Sequence, residues 1–529
     1  MATDVEVLVI GFGPGGEVAT SLLAQAGHRV LAIDKAAAPY GEPRMSQLDG
    51  EIARVLQHAA DPKEAMAEAI ASKVLLQFDS QDQPLPEISL DYRVSGNWRA
   101  YNLHQPHIEQ AMERRVTQCP SAEFRWGWRA IRIAQDDDGV TAEIASVADP
   151  AQTETVRARY LLGFDGASSF VRGAVGIDLD VLHEHDDRWI LTDFNALRPL
   201  PAIAMTAQFR MDPKRPWFGG SNGLNRCRTD MRVMPGEDLD AMVADRDQGY
   251  AFMEEKFGLT REDIVMTRRV GYRFRSQIAR RFRAGRVFIG GDAAHAMPPF
   301  MGQGACSAMR DAINIAWKLR LVLSGATDES LLDSYEPERL PHASFFVHGS
   351  LAMLRAVNIT DPAEAAARDA AVRAGHVKFP PFPGLVAGVV RRAPDGGLAS
   401  LAGSLAPQGV VGQGGREALV DDLIGFGGQL VSRLPLAGML GEERMARLAD
   451  LGIHVLHIGD AEAAVLADVE GTYRAFFEET GASAFLARAD FYLFGIATGD
   501  SDVPALVDDF LRQLPPPDAP AAASERRAA

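Results

Sequence analysis

The chain has 529 residues, 47% of them apolar, enough for more than one domain with a large core. A net charge of −17 argues against nucleic acid or an anionic membrane surface as partner, since both select basic patches. Its three cysteines, Cys119, Cys227 and Cys306, lie far apart with no C-x-x-C, which excludes a disulfide framework and a thiolate zinc site, so no metal is expected.

Residues 5–16 pass from an apolar run straight into a glycine loop. Residues 7–10 lack polar alternation, as a parallel strand buried on both faces does. Gly11, Gly13 and Gly16 give the G-x-G-x-x-G spacing: a tight turn, close approach of backbone to a pyrophosphate, and close packing of the next helix on the sheet. A helix is expected over 17–26 with Gly27 as its stop, its N-terminal amides facing phosphate. A second strand, 29–33, ends at Asp34, where an acid binds a ribose hydroxyl. Glu17 departs from this pattern, because an acid there stands close to phosphate.

A loop with Pro39, Gly41 and Pro43 ends in Arg44, and helices are expected near 51–57 and over 107–115. Residues 124–133 and 140–145 read as strands flanking the turn Asp136-Asp-Asp-Gly139. A second landmark follows, an apolar strand ending in Gly163-Phe164-Asp165-Gly166. From 181 to 269 short alternating stretches, such as 204–210 and 231–234, indicate a mostly antiparallel sheet. The third landmark contains Gly290-Gly291-Asp292, His295, Pro298, Pro299 and Gly302-Gln303-Gly304, and leads into a long helix buried along Ala308, Ala312, Ile315 and Leu319. Residues 361–415 turn rich in Ala, Gly and Pro. Beyond them, strands are expected at 429–431, 453–458, 484–487 and 492–496, with a helix at 472–480. No stretch reaches the ~20 apolar residues of a membrane span, and the first strand begins almost at Met1 without a basic leader. A soluble cytoplasmic protein is expected.

The three landmarks in this order resemble the class A flavoprotein aromatic hydroxylases, the p-hydroxybenzoate hydroxylase family, over about residues 1–345. The match extends in the branch typified by 3-(3-hydroxyphenyl)propionate hydroxylase, through residues 212–216, 228–237 and 302–319. That resemblance implies an α/β fold: a Rossmann-like, glutathione-reductase-type FAD domain with an interleaved antiparallel substrate domain and a C-terminal thioredoxin-like domain. The expected boundaries are 1–180 plus 270–350 for the FAD domain (about 77–104 contributing to the substrate domain), and 181–269 for the substrate sheet. A helical linker region at 351–415, the thioredoxin-like unit at 416–514 and a disordered tail at 515–529 complete the division. With every cysteine before residue 307, the C-terminal unit cannot perform dithiol exchange.

The resemblance also implies roles. Gly11, Gly13, Pro14 and Gly16 cradle the FAD pyrophosphate, and Asp34 with Lys35 lies at the adenosine ribose. Arg44 contacts FAD, while Gln105 and Asp292 face the ribityl chain. Pro299, Gly302, Gln303 and Gly304 offer amides at a helix N-terminus to the flavin N1–C2 edge. Asp165 and Gly166 match a segment that meets FAD and NAD(P)H, although Phe164 stands where a small residue is usual. Tyr272, Pro298 and His295 are candidate catalytic residues, His295 reading equally as loop support. Arg210 and Arg228 are candidates for a substrate carboxylate, or else a charged outer face.

The implied reaction uses non-covalently bound FAD, transient NADH or NADPH, and O2. It hydroxylates a small phenolic substrate ortho to an existing hydroxyl through a flavin C4a-hydroperoxide. A homodimer is left open. The rivals are a polyketide or antibiotic tailoring monooxygenase on a polycyclic aromatic, an FAD-dependent reductase or isomerase that does not use O2, and a non-catalytic FAD module.

Overall fold

The structure is a computed structural model describing residues 3–377, 380–459 and 465–517. Its first sheet is built on the parallel strands Ala122–Trp126, Val30–Asp34, Thr3–Ile10 and Thr153–Gly163, in that spatial order. Val287–Ile289 runs parallel to the end of Thr153–Gly163, and the hairpin Trp128–Gln135/Val140–Ser146 adds antiparallel strands. Val7, Leu8 and Val9 are fully buried, as a central strand covered on both faces requires. Helix Pro14–Gln25 packs against helix Gly304–Leu323, so the first and third landmarks meet in space.

The second sheet runs His295–Ala296, Ile264–Ala279, Leu179–Ala196, Arg226–Arg232, Trp217–Ser221, Gln208–Arg210, Val74–Phe78, Ile88–Ser89. Its longest strands pair antiparallel along most of their length and carry it back onto the first sheet. The third sheet places Gly428–Ser432 parallel to Ile453–Gly459 and antiparallel to Ala484–Ala487, which hairpins with Leu493–Ala497. Helices Ala437–Asp450, Thr472–Thr480 and Val503–Arg512 accompany it, giving the α/β C-terminal unit its thioredoxin-like outline.

Several expectations change. The first helix begins at Pro14, not 17, because the glycine loop itself supplies the first turn. The expected strand 124–133 is two strands, broken at Gly127 with φ +76°. Residues 204–210 begin in the end of the short helix Ala202–Met205, which follows Pro201, and only Gln208–Arg210 are strand. The early segment joining the second sheet is 74–89, not 77–104; Ala100–Asn102 pairs instead with Gln47–Asp49 and Ile70–Ala71. Helix Ala437–Asp450 escaped periodicity because Gly441, at φ +73°, interrupts it. Of the expected tail, the Pro515 carbonyl accepts hydrogen bonds from Thr327 Oγ1 at 2.8 Å and Asp328 N at 3.2 Å, while residues 518–529 lie outside the described residues.

Candidate functional site

One cavity of about 1580 Å³ runs from the glycine loop, past the third landmark, to the second sheet. At its first end Gly11, at φ +99°, lies so close to Phe164 that a Cβ would strike that residue's carbonyl, and a Cβ on Gly16 would strike the carbonyl of Gly11. Gly13 has nothing within 4 Å of where its Cβ would point. Gly11 and Gly13 therefore divide the work, one closing the turn and the other leaving backbone open for a ligand. Gly16 does not reach the cavity; its role is packing, which corrects its place among the ligand contacts. Pro14, Asp34 and Lys35 line the wall. Asp34 accepts from Phe12 N at 2.9 Å and from Ala36 N at 2.8 Å, so it shapes the loop it faces.

Glu17 also lines this end and is 3% exposed, with Oε2 lacking a hydrogen-bond partner among the described residues. Burial, then the nearby carboxyls of Glu109, Glu113 and Asp34, push its pKa well above the ordinary range. That shift favours the protonated form, which eases the conflict with a phosphate.

Gln105 Oε1 accepts from Arg44 N at 2.9 Å and Met45 N at 2.6 Å, and its Nε2 donates to Glu109 at 2.6 Å. That amide holds the loop that presents Arg44, whose guanidinium lies 4.1 Å from the centre of the Tyr40 ring. Arg228 is 3% exposed and pairs with Asp193, its Nε 2.7 Å from Oδ1, while its other nitrogens donate to the carbonyls of Pro43 and Arg44. Arg228 borders the cavity, yet its donors are committed to this loop, which corrects its reading as a carboxylate receptor. Arg210 lies off the cavity, paired with Asp82 and stacked 3.3 Å over Phe78, a second correction.

At the second landmark Asp165 accepts from the Ser169 hydroxyl and from Val171 N, capping helix Phe170–Ala174, while Gly166 at φ +84° leaves open space beside it. The bulk of Phe164 is absorbed by glycines: a Cβ at Gly15 or Gly290 would press on its ring. Asp292 lines the cavity and is exposed to it; desolvation by the surrounding protein raises its pKa, opposed by His295 and Arg44. Pro299, Gly302, Gln303 and Gly304 line the wall where helix Gly304–Leu323 begins, with Gly302 turned back at φ +65° and nothing within 4 Å of a Cβ on Gly304. Gln303 is fixed by Asp49, at 3.0 Å from its Nε2, and by Arg310, at 2.8 Å from its Oε1.

The three candidate catalytic residues lie off this wall. His295 is fully buried and its Nε2 is 2.6 Å from Asp311, a carboxyl that also accepts from Gly291 N at 2.9 Å. Pro298 is buried behind Pro299. Tyr272 hydrogen-bonds with Arg268, and burial raises its pKa, the wrong direction for a base.

Beyond the turn the cavity becomes aromatic. Trp189, Phe209, Phe218, Phe274 and Phe300 line it together with Leu75, Leu191 and Met353. The rings pack on one another, Phe300 with its centroid 5.2 Å from Trp189 and Phe209 4.9 Å from Phe218. One acid interrupts this surface. Asp230 lines the cavity, and its Oδ1 has no hydrogen-bond partner among the described residues. Burial is the main cause that raises its pKa to about 7; Asp193 adds to it while Arg228 and Arg268 oppose it. Sequence reading passed over this residue because Thr229-Asp230-Met231 shows only an alternating strand.

Residues 4–350 match the family described as FAD binding domain, and residues 403–513 the family described as HcaD C-terminal domain. The chain is 30% identical over 527 residues to a probable NADH-specific resorcinol 4-hydroxylase of Rhodococcus jostii (strain RHA1), covering 97% of this chain and 96% of that protein. It is 28% identical over 518 residues to a 3-(3-hydroxy-phenyl)propionate/3-hydroxycinnamic acid hydroxylase of Mycobacterium sp. (strain JLS), covering 92% and 88%. Among solved structures, the flavin-dependent monooxygenase PieE, in complex with FAD and substrate, superposes with TM-score 0.78 at 22% identity, over 96% of this chain and 99% of that one. Aklavinone-11 hydroxylase, with FAD and aklavinone, gives 0.75 at 24%, over 97% and 100%. These two superpositions establish the shared fold.

Proposed function

We propose, because the chain belongs to the FAD-binding family of flavoprotein aromatic hydroxylases, that it is an NAD(P)H- and O2-dependent monooxygenase hydroxylating a small phenol, ortho to its hydroxyl. The observation that carries this reading is the continuity of one cavity from a glycine cradle to an aromatic pocket, with a helix N-terminus at their junction. The residues fit FAD. Gly13, Gly166 and Gly304 leave room where backbone approaches a ligand, and the raised pKa of Glu17 lessens its repulsion of a pyrophosphate beside it. We assign Gly11, Gly13, Pro14, Asp34, Lys35 and Arg44 to the adenosine diphosphate end. Asp292 is assigned to the ribityl chain, and Gly302, Gln303 and Gly304 to the flavin ring.

Bound here and reduced by NAD(P)H, FAD would supply the electrons that activate O2 for transfer to the substrate. The protein supplies position, charge and dryness. Amides at the start of helix Gly304–Leu323 favour negative charge at the ring edge they face. Arg44 neutralises phosphate. The aromatic wall holds a planar ring and keeps water out. Because those rings pack on one another, the pocket suits a single ring better than a polycycle, which we keep as the second reading. With its three cysteines unpaired, we assign the reaction to the cytoplasm. One chain contains every assigned residue; a homodimer would carry two such sites.

The test follows NADH oxidation, oxygen uptake and product in FAD-loaded protein against resorcinol, 3-(3-hydroxyphenyl)propionate, simple hydroxybenzoates and a polycyclic quinone. One small phenol should accelerate both rates and return hydroxylated. Stimulation by the polycycle alone would favour the second reading, and bound FAD with no stimulated oxygen uptake would remove the hydroxylase reading.

A further inference from the structure

Pairing across the second sheet sets Phe209, Phe218, Asp230 and Leu191 side by side on adjacent strands. Directly opposed residues share a face, and all four of these line the cavity. Three are apolar; the fourth is an acid. An acid in an apolar row, with one oxygen buried and unpartnered, is costly for a fold to retain unless a ligand completes it.

We propose that Asp230 is the base that accepts the proton of the substrate's phenolic hydroxyl, an inference that rests on the hydroxylase reading above. In this step the phenol O–H bond breaks, its electron pair stays on the ring oxygen, and the proton passes to the Asp230 carboxylate. No electron is exchanged with an outside group. The phenolate pushes electron density into the ring, which is what attack on an electrophilic oxygen requires.

The surroundings suit the task. Arg228 on the same strand, Asp193 on Leu179–Ala196, and Arg268 with Tyr272 on Ile264–Ala279 are the charged and titratable groups facing it. Arg228 and Arg268 are engaged by Asp193 and by loop carbonyls, with no salt bridge to Asp230 among the described residues. The neighbouring Arg232 is turned to the Asn358 carbonyl and Asp187. The cross-strand partners of Asp230 are Phe218 and Leu191. A value of about 7 leaves the acid able both to take a proton and to release it near neutrality. Tyr272, the earlier candidate, is screened by Arg268 and lies off the cavity wall.

The experiment compares wild type, Asp230→Asn and Asp230→Glu as FAD-loaded enzymes with whichever phenol of the panel turns over fastest. FAD content and Tm report the fold. Asp230→Asn should lower kcat for hydroxylated product roughly 10²- to 10⁴-fold, the usual contribution of a positioned base. It should also abolish the limb of kcat/KM that rises with pH near 7. Asp230→Glu should keep that limb with part of the rate, and it carries the test by itself if the Asn variant does not retain FAD. An active wild type whose Asn variant keeps the wild-type rate and pH limb, or whose Glu variant keeps the wild-type rate but has no limb near 7, overturns the inference alone. A wild type that hydroxylates no phenol overturns the hydroxylase reading first, and this inference with it.

Discussion

Glu17 stands in the first turn after the glycine loop, where negative charge is least welcome, and its raised pKa, which favours the protonated form, eases the difficulty. Because its pKa is raised in the folded chain, the native state holds a proton that the unfolded chain releases above the ordinary carboxyl value. Its effect on stability is therefore lost as pH rises through the folded value, and FAD affinity should weaken in the same direction. Glu17→Gln keeps a neutral group of similar shape. It should bind FAD within a few-fold of wild type and flatten that pH dependence, read by fluorescence titration of the apoprotein. A loss of about tenfold or more, ~1.4 kcal/mol, would show that the charged carboxylate is needed. Asp230 has the same sign: between the ordinary carboxyl value and about 7 the folded chain holds the extra proton, so its contribution falls with rising pH across that window.

At the scale of the element, the strand–loop–helix unit separates folding from binding. Gly11→Ala would place a Cβ against the Phe164 carbonyl in a left-handed conformation, and should cost several kcal/mol in urea unfolding. Gly13→Ala meets no protein atom within 4 Å, so its Tm should stay near wild type while FAD affinity drops at least tenfold. Equal destabilisation by both substitutions would refute this division of labour. The spacing that names these glycines is visible in sequence because a tight turn and a helix start are local events. Phe164 is the contrary case. It replaces a small residue, and only the structure reveals Gly15 and Gly290 making room for its ring.

Across the whole molecule, buried polar chains tie the C-terminal unit to the FAD-binding sheet. Arg54 meets Asp421 through two hydrogen bonds of 2.7 and 2.9 Å, with His58 at 3.1 Å from the same carboxyl. Tyr492 donates to Glu51 at 2.8 Å; Arg310 joins Glu51 to Gln303 at the cavity wall. Arg54→Met leaves Asp421 buried without its cation and should cost about 3–5 kcal/mol, with the two units still unfolding in one transition. Separate melting of the C-terminal unit at an unchanged midpoint would contradict that coupling. Burial opposes ionisation of Asp421, but Arg54 and His58 prevail and hold its pKa far below the ordinary value. Its stabilisation is accordingly complete above that value and lost only as pH falls well beneath it.

What sequence by itself determined about this protein is the local grammar: a continuous apolar strand, the glycine spacing, the terminal acid at Asp34, and two later strand–acid–glycine landmarks. Four strands and one helix of the C-terminal unit were legible for the same reason, since the periods of 2 and 3.6 are written in adjacent residues. What only the tertiary structure decided is which polar groups are spent and which are open. Arg228 turned from substrate receptor to loop clamp because Asp193 and the carbonyls of Pro43 and Arg44 converge on it from other elements. Asp230 emerged from an ordinary alternating strand because its neighbours across the sheet are aromatic and aliphatic. Charge state and availability depend on burial and on partners distant in sequence, and these exist only once the sheets have paired.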